Sequence, residues 1–340
     1  MPQTTSDSLR FSCREEAVLA AVCYGDIFDF PLCRQELLTY LPFEKMITDE
    51  IEATVASLIS QTQLCEEDGY LFLPGREELV RIRQERQVWV REKWDLLREH
   101  LPPLLSPRWV KAALLTGSLA AGNAKECDDV DLLLILDHRR MWLGYMITRL
   151  WARRIKNIEF CPNYAISERR TSFLFPNLFT AVEWSMSIPL KHAPVLQDLE
   201  RANAWFYEFI PNAPKSEERQ VALKQAPKSP GLRVLEWLCF SPLGWLLDRL
   251  EYHRLRWRTA GRYIPDPDIY KPHSPLRQYK IFQEWLAHMD RCGLKVPRIR
   301  GHFEDKRIEL EKAIRAWGQD PHASPQRELV VPKKATSIAN

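Results

Sequence analysis

The stretch of sequence that decides the fold is LLTGSLAAGNAKECDDVDLLLIL, residues 114–136. It contains two apolar runs, one ending at Thr116 and the other beginning at Val130, and each predicts a short buried β-strand. Gly117 lets the backbone turn tightly and come close to a ligand. Ser118 then begins a helix, so its amide and hydroxyl point to whatever lies at that helix end, a position that favours phosphate. The segment therefore predicts a strand, a phosphate-binding turn and a second strand.

Two aspartates stand at the start of the second strand. Asp129 and Asp131 are two residues apart, so both side chains project from the same face, while Val130 points into the core. Side-by-side carboxylates repel each other, and a divalent cation removes that repulsion. Mg²⁺ prefers a few carboxylate oxygens together with water and phosphate oxygens, and it can align an attacking hydroxyl and neutralise a triphosphate. The pair predicts a Mg²⁺ site, with Mn²⁺ as an alternative ion.

The order of these features resembles the signature of the polymerase-β-like nucleotidyltransferase superfamily. That signature is an apolar run, Gly-Ser, a spacer of about ten residues and Asp-apolar-Asp-apolar. Gly117-Ser118 supplies its first part and residues 129–132 the second, and the resemblance covers residues 109–166. It implies that the glycine and serine hold nucleotide phosphates and that the two aspartates ligate the metal. It also implies transfer of a nucleoside monophosphate from an NTP, expected to be ATP, to a small molecule, a protein or RNA.

A third acid and a phosphate-binding cation are expected near this motif. Members of the superfamily resemble one another in carrying a further acid on a neighbouring strand, as metal ligand or base. The next predicted strand, residues 158–166, offers Glu159, with Cys161 and Asn163 on the same face. Glu159 is the predicted third catalytic residue, and a solvated glutamate is the alternative; Asn163 cannot act as a base. Lys125 in the spacer is predicted to contact phosphate, with a solvated loop lysine as the alternative.

The N-terminal segment, residues 11–75, is predicted to be a winged-helix-like domain. Three helices are expected at 14–24, 33–41 and 48–60, and an Asp-Gly pair at 68–69 predicts a hairpin after them. The third helix carries Asp49, Glu50 and Glu52 and no Lys or Arg, so it would repel DNA phosphates. The expected contact is the chain's own catalytic domain or a partner protein. Residues 177–211 and a Phe-Asp-Phe-Pro turn at 28–31 also resemble bacterial proteins with this domain order.

The predicted fold class is α+β, with a small mixed-sheet nucleotidyltransferase core, the winged-helix-like domain and a helical C-terminal region. The core is expected to hold strands at 110–116, 130–136 and 158–166 and a helix at 141–155. The C-terminal helices are expected to pack over the cleft and select the acceptor. Besides residues 11–75, the predicted parts are a connector helix at 76–103 ended by its prolines, the core at 104–190, the helical region at 191–318 and a flexible tail at 319–340.

Two stretches of the C-terminal region are open to more than one interpretation. Residues 234–247 form the longest apolar stretch, but they contain Glu236 and Pro242 and are too short to span a bilayer. A buried helix broken at Pro242 is predicted, and an interfacial membrane helix bearing Trp237 and Trp245 is the alternative. Residues 249–262 are rich in Lys and Arg, which predicts a solvated helix face, or else a surface for an anionic acceptor such as RNA or a nucleotide sugar.

Composition excludes several classes of protein. The 340 residues carry 48 basic and 45 acidic side chains, a net charge of +3, so the chain is not a histone-like polycation. Residues 1–8 lack the charged and apolar regions of a secretory signal, and the eight cysteines show no C-x-x-C pair or zinc spacing. A cytoplasmic protein with reduced, buried cysteines and no membrane span is expected.

Two other functions remain as alternatives to the transferase. A glycosyltransferase also uses Asp-x-Asp to hold a metal and a sugar nucleotide, but several βα units usually precede that motif, whereas a helical segment precedes it here. A degenerate transferase domain used for nucleotide binding or protein interaction, without catalysis, is the other alternative.

Overall fold

The computed structural model describes residues 9–173, 176–191, 194–258, 267–270 and 277–316, and these residues form an α+β fold, as predicted. The helices are α1 Arg14–Asp26, α2 Arg34–Tyr40, α3 Thr48–Ser60, α4 Glu78–Leu105, α5 Gly117–Ala120, α6 Met141–Ala152, α7 Leu178–Met186, α8 Pro194–Ala202, α9 Phe206–Phe209, α10 Pro230–Cys239, α11 Pro242–Arg258, α12 Arg277–Arg291 and α13 Pro297–Ala316. The strands are β1 Leu32–Cys33, β2 Cys65–Glu67, β3 Tyr70–Phe72, β4 Val110–Leu115, β5 Val130–Leu136, β6 Phe160–Ser167, β7 Ile188–Lys191 and β8 Ile269–Tyr270. The predicted tail at 319–340 and the end of the basic stretch, residues 259–262, lie outside the described residues.

The N-terminal unit contains the predicted three helices followed by a hairpin. Strands β2 and β3 pair antiparallel across Asp68 and Gly69, whose φ angles of 51° and 78° are those that a type I′ turn requires. Strand β1 pairs with the other edge of β3, which gives an antiparallel sheet of order β1-β3-β2. Helix α1 packs against α3 within the unit and against α12 from the C-terminal region.

Helix α4 is longer than predicted. The prolines Pro102 and Pro103 were expected to end it, but the helix continues to Leu105. Leu101, Leu104 and Leu105 are buried in the core, and their burial offsets the backbone hydrogen bonds that the two prolines cannot donate. The prediction that the prolines end the helix was therefore wrong.

The central sheet is mixed, with the strand order β7-β4-β5-β6-β8. Strands β5 and β6 are parallel and the other neighbours are antiparallel. The three predicted strands are its three central ones. The two edge strands were not predicted. Strand β7 lies at the end of the predicted core, and β8 lies in the region that was expected to be helical, where that expectation was wrong. Both are short and β7 contains Pro189, so their pairing with the strands beside them decides their conformation.

Helices cover both faces of the sheet. Leu114, Leu133 and Ile135 face a core shared with the N-terminal unit and with α7, α9, α12 and α13. Leu115 and Leu134 face a second core shared with α4, α6, α10 and α11. Strands buried on both sides read as continuous apolar runs, which explains the sequence LLLIL in β5.

The apolar stretch at 234–247 folds differently from its predicted form. The chain does break there, because α10 ends at Cys239 and α11 begins at Pro242. The stretch is not buried, however, since Trp237 and Trp245 are both exposed. No helix within the described ranges has the length and apolar content needed to cross a membrane.

The cysteines also depart from expectation. All eight are free, but only Cys23 and Cys239 are buried, while Cys13 and Cys127 are exposed and the other four are half-buried. The expectation of eight buried structural cysteines was therefore wrong. One of the half-buried four, Cys161, lies in the candidate site.

Candidate functional site

The turn after β4 brings Gly117 against Asp131. Leu115 of β4 lies opposite Leu132 of β5, and the Thr116 amide donates to the Asp131 carbonyl at 3.0 Å. Gly117 has a φ of 69°, which side chains disfavour. A Cβ at this position would collide with Oδ2 of Asp131 and lie 3.2 Å from its Cβ. Glycine is therefore required both by the backbone conformation and by the close approach of the carboxylate.

Asp129 and Asp131 converge as the sequence pattern predicts. One carboxylate oxygen of each and the Cys161 sulfur lie within 4.8 Å of one another, and all three residues are half-buried. The Asn163 side-chain amide donates to Oδ1 of Asp131 at 2.6 Å. These four residues are called the acid cluster below.

The local irregularity of β6 brings Asn163 to this cluster. Asp131 lies opposite Cys161 and Leu133 lies opposite Tyr164, so the single residue between them on β5 faces two residues on β6. One of those two is Pro162, which has no amide hydrogen to donate to a regular ladder. The resulting bulge positions the amide of Asn163 beside the Asp131 carboxylate.

The chemistry of the acid cluster fits a hard divalent cation. Burial, together with the neighbouring carboxylates of Asp129 and Asp131, raises the pKa of the Cys161 thiol to about 12, so the sulfur stays protonated near neutral pH. Two carboxylates and no thiolate are what Mg²⁺ or Mn²⁺ accepts from a protein. Asp129 forms no ion pair with a Lys or Arg side chain of the described residues. Asp129 and Asp131 are therefore the residues that would hold a metal.

The predicted third acid, Glu159, lies beside the cluster rather than in it. It is exposed and lines the cavity described below, and its backbone carbonyl accepts from the Val130 amide at 2.8 Å. A different acid, Glu183 of α7, is in contact with the turn: its Oε2 accepts from the Gly117 amide at 3.3 Å. No spacing in the sequence connects Glu183 to the motif, because only the packing of α7 brings it there.

The spacer between the turn and β5 is fixed by side chains. Oδ2 of Asp128 accepts from the Ser118 hydroxyl at 2.8 Å and from the Lys125 amide at 2.9 Å. The buried Lys93 of α4 donates to the carbonyls of Glu126 at 2.9 Å and Asp128 at 2.6 Å. The Ser118 hydroxyl predicted to bind phosphate is thus engaged by a carboxylate. The ammonium of Lys125, in contrast, makes no ion pair or hydrogen bond with any described residue.

A cavity of about 1600 Å³ opens beside the acid cluster, and Gly117, Ser118 and Lys125 are in its wall. Arg149 of α6 and Arg153, which directly follows that helix, also line it. Neither guanidinium forms an ion pair or hydrogen bond with the described part of the chain. Neither was predicted as a site residue, although Tyr145, Arg149 and Arg153 recur at intervals of four and so share one helix face.

The N-terminal unit contributes to the same cavity. Its turn at 27–30 lines the cavity, and the buried Arg86 of α4 holds this turn in place. The Arg86 guanidinium donates to the Phe28 carbonyl at 3.0 Å and to Oδ1 of Asn123 at 2.8 Å. Asn123 belongs to the spacer, so one arginine joins the N-terminal turn to the loop that carries the motif.

Comparison with known proteins adds no relative: no protein-family model, no curated protein and no solved structure matches the chain. The chemistry of the site therefore has to be argued from its own residues.

Proposed function

We propose that the protein is a Mg²⁺-dependent nucleotidyltransferase that moves a nucleoside monophosphate from an NTP, ATP as the first candidate, to an acceptor hydroxyl. One observation carries this proposal: the carboxylates of Asp129 and Asp131 converge, and Asp131 contacts the Gly117 turn, in the wall of a cavity lined also by cations that pair with no acid of the described residues. Residues 104–190 are proposed as the polymerase-β-like core and residues 11–75 as a winged-helix-like domain.

The cavity supports two substrates at once. Its volume of about 1600 Å³ exceeds the roughly 300–1,000 Å³ that holds one small molecule. Arg149, Arg153 and Lys125 supply positive charge for a triphosphate, and their side chains are not committed to acids of the described chain. Aromatic side chains such as Tyr164 and Phe173 line the same cavity and offer faces on which a base can stack.

The metal would be held by Asp129 and Asp131, and when bound it would supply charge neutralisation for the triphosphate and the departing pyrophosphate. Asn163 orients the Asp131 carboxylate through its amide hydrogen bond. Because Gly117 has no side chain, the Asp131 carboxylate can lie directly against the turn.

Glu183 is the side chain proposed to accept the proton of the attacking hydroxyl. It lines the cavity and contacts the Gly117 turn, and its helix α7 packs on the core that Leu133 of β5 faces. Glu159 keeps its place in the proposal as the second candidate for this role, because it lines the same cavity.

The experiment that tests the proposal measures Mg·ATP binding by calorimetry and label transfer from α-labelled NTPs to fractionated lysate. Asp129→Asn with Asp131→Asn is expected to lower the transfer rate about a thousandfold. The matched control, Asp49→Asn with Asp305→Asn, removes the same charge from exposed sites on α3 and α13 and is expected to leave the rate unchanged. Wild-type protein that neither binds an NTP nor transfers label would refute the proposal.

A non-catalytic nucleotide-binding or protein-interaction module is the second candidate, and one feature favours it. The two groups predicted to bind phosphate both donate to acids, Ser118 to Asp128 and the Gly117 amide to Glu183. Nucleotide binding would then have to displace these carboxylates. Binding of ATP with no pyrophosphate release in any lysate fraction would select this second function.

The N-terminal unit is proposed to contact protein rather than DNA. The acids of α3 pair with arginines of the same unit, Glu50 with Arg14 and Glu52 with Arg34 at 2.7 Å. Within the fold the unit already binds the C-terminal region, because the Trp285 indole of α12 donates to the Ala20 carbonyl at 2.8 Å.

A further inference from the structure

The helical pair α10–α11 exposes a concentration of apolar side chains. Of the fifteen large hydrophobic residues that are exposed in the described chain, nine lie between residues 234 and 257, with exposures from 43 to 81 %. The six most exposed are Val234, Trp237, Leu243, Trp245, Leu250 and Trp257. Scattered single residues of this kind are ordinary on a protein surface, but a group of nine on two adjoining helices indicates an interaction site.

Helical spacing places most of these side chains on one outer face. Leu243, Leu246, Leu250 and Trp257 follow one another at intervals of three, four and seven in α11. In α10, the exposed residues Val234 and Trp237 are three residues apart and therefore lie on the same side of the helix. The two helices contact each other, so the patches adjoin. We call this surface the outer face of α10–α11.

In α10 and α11 the acidic side chains are buried, whereas the exposed charged side chains are basic. Their three acids, Glu236, Asp248 and Glu251, are only 6–8 % exposed. They are used internally: Asp248 accepts from the Trp142 amide at 3.0 Å, and Glu236 accepts from the Arg108 amide at 2.6 Å.

Every charged side chain that α10 and α11 expose within residues 230–257 is a cation. These exposed arginines are Arg233, Arg249, Arg254 and Arg256, of which Arg254 pairs with Glu251 at the cavity and the other three remain for the outer face. The outer face therefore combines an apolar surface rich in tryptophan with positive charge and no exposed acid.

We propose that the outer face of α10–α11 binds the surface of an anionic lipid bilayer. Helices that lie in the membrane interface bury Trp and Leu at the level of the headgroups and present Arg or Lys to anionic lipids. Tryptophan prefers this boundary because its ring is apolar and its N–H is polar. The helices lie on the membrane and do not cross it.

A second copy of the chain fits this face less well. In a twofold symmetric contact the same patch meets itself, so the arginines of one copy would face those of the other. Desolvated like charges repel, whereas lipid phosphates complement them. The proposal uses no residue of the acid cluster and does not depend on the nucleotidyltransferase activity.

The test is flotation of the full chain with vesicles of phosphatidylcholine, alone or mixed with phosphatidylglycerol, without nucleotide. Wild-type protein is expected to float with the anionic vesicles and to be released by salt. Arg249→Glu with Arg256→Glu is expected to lower the partition coefficient at least about tenfold. Trp237→Gln with Trp257→Gln is expected to lower it by a similar factor.

Matched controls come from exposed residues elsewhere. Arg91→Glu with Arg298→Glu makes the same change in net charge, and Val88→Gln with Ile308→Gln removes exposed apolar side chains from α4 and α13. Both controls are expected to bind vesicles as the wild type does, and circular dichroism checks that every variant is folded. Binding that ignores lipid charge, or that the outer-face variants retain in full, overturns the proposal. The proposal is also overturned if the wild type binds no vesicles and forms an oligomer that the outer-face variants dissociate. The outer face would then bind a second copy of the chain.

Discussion

The two ends of strand β5 carry two acidic clusters with opposite surroundings. At the start of the strand, Asp129 and Asp131 adjoin Cys161, and just after its end Asp137 adjoins His138 and Glu168. In both clusters one ligand atom from each of the three residues lies within 4.8 Å of the others. Judged by the distances between acids alone, the two ends of the strand are equivalent.

The partners of the acids separate the two ends. Asp137 is buried, and it accepts hydrogen bonds from the Lys111 ammonium at 3.0 Å and the Arg139 guanidinium at 3.3 Å. Although burial acts to raise the pKa of Asp137, the hydrogen bonds from Arg139 and Lys111 outweigh it and hold this pKa at about 2. At the other end, the protonated thiol of Cys161 lies beside Asp129, and the Asn163 amide donates to Asp131. The chain thus balances the charge of one cluster itself and places the other at a cavity.

The largest expected effect separates the clusters by their response to metal. At a Mg²⁺ concentration about a hundred times its Kd, the free energy of unfolding of the wild type is expected to rise by about 2.7 kcal/mol, and EDTA should reverse this. Asp129→Asn should lose this stabilisation by Mg²⁺. Asp137→Asn should keep it, although its free energy of unfolding without Mg²⁺ should be lower than that of the wild type. Thermal unfolding with and without Mg²⁺ measures both. A Mg²⁺ response that disappears in Asp137→Asn but not in Asp129→Asn would reverse the assignment of the two clusters.

A second prediction compares two acids at the cavity. Glu183→Gln is expected to lower the transfer rate about a hundredfold and to remove the acidic limb of its pH profile, because the amide cannot accept a proton. Glu159→Gln is expected to change the rate much less, since Glu159 is exposed, whereas Glu183 is half-buried and accepts from the Gly117 amide. Steady-state rates measured across pH decide between the two acids. If only Glu159→Gln loses the acidic limb of the pH profile, Glu159 is the base and the assignment of Glu183 is wrong.

A third prediction concerns acid stability at the Asp137 end. The pKa of Asp137 is about 2 in the folded chain and 3.8 at its ordinary value. Between these two pH values the Asp137 carboxyl is protonated in the unfolded chain but ionised in the folded one. Stability from this carboxylate, about 2 kcal/mol at neutral pH, is therefore lost as the pH falls from about 4 to about 2. Asp137→Asn should be less stable at pH 7 and should lack this acid-dependent loss. Urea unfolding at several pH values measures it, and identical curves for variant and wild type would contradict the ion-pair assignment.

The smallest expected effect tests the contact between the turn and the acid cluster. Gly117→Ala places a methyl group against the Asp131 carboxylate and forces alanine into a left-handed conformation. It is expected to lower the free energy of unfolding by about 1–2 kcal/mol and to weaken Mg²⁺ binding. Gly301→Ala is the control, since a Cβ at this position in α13 would meet nothing within 4 Å. Unfolding and metal titration of both variants check the prediction, and equal metal affinity would show that the close approach is unimportant.

Sequence patterns predicted the parts of the fold that are determined locally. The bounds of α3 and β5 agree with those expected from their periodicity, because each has a consistent apolar pattern and clear flanking residues. The Asp68-Gly69 turn was equally clear, since few other pairs adopt two successive positive φ angles. Spacing placed Asp129 and Asp131 on one face of a strand, and the resemblance to the polymerase-β-like signature placed the Gly117 turn beside them.

What the sequence did not show depends on tertiary packing. Strands β7 and β8 exist because their neighbours in the sheet pair with them, and no short segment signals such pairing. The contact of Glu183 with Gly117 and the cavity positions of Arg149 and Arg153 arise from how α7 and α6 pack on the sheet. A buried helix was preferred to an interfacial one at Trp237 because an apolar run usually indicates a core helix.

Helix α4 has a consequence for how far the chain can be divided. Its three buried cations each hold a different part of the protein: Arg83 contacts Glu36 at 2.5 Å, Arg86 contacts Asn123, and Lys93 contacts the backbone at Asp128. A proteolytic fragment that starts after this helix would lose every one of these anchors and leave the aspartate-bearing loop without support. The smallest unit able to keep the cavity therefore begins with the N-terminal helices.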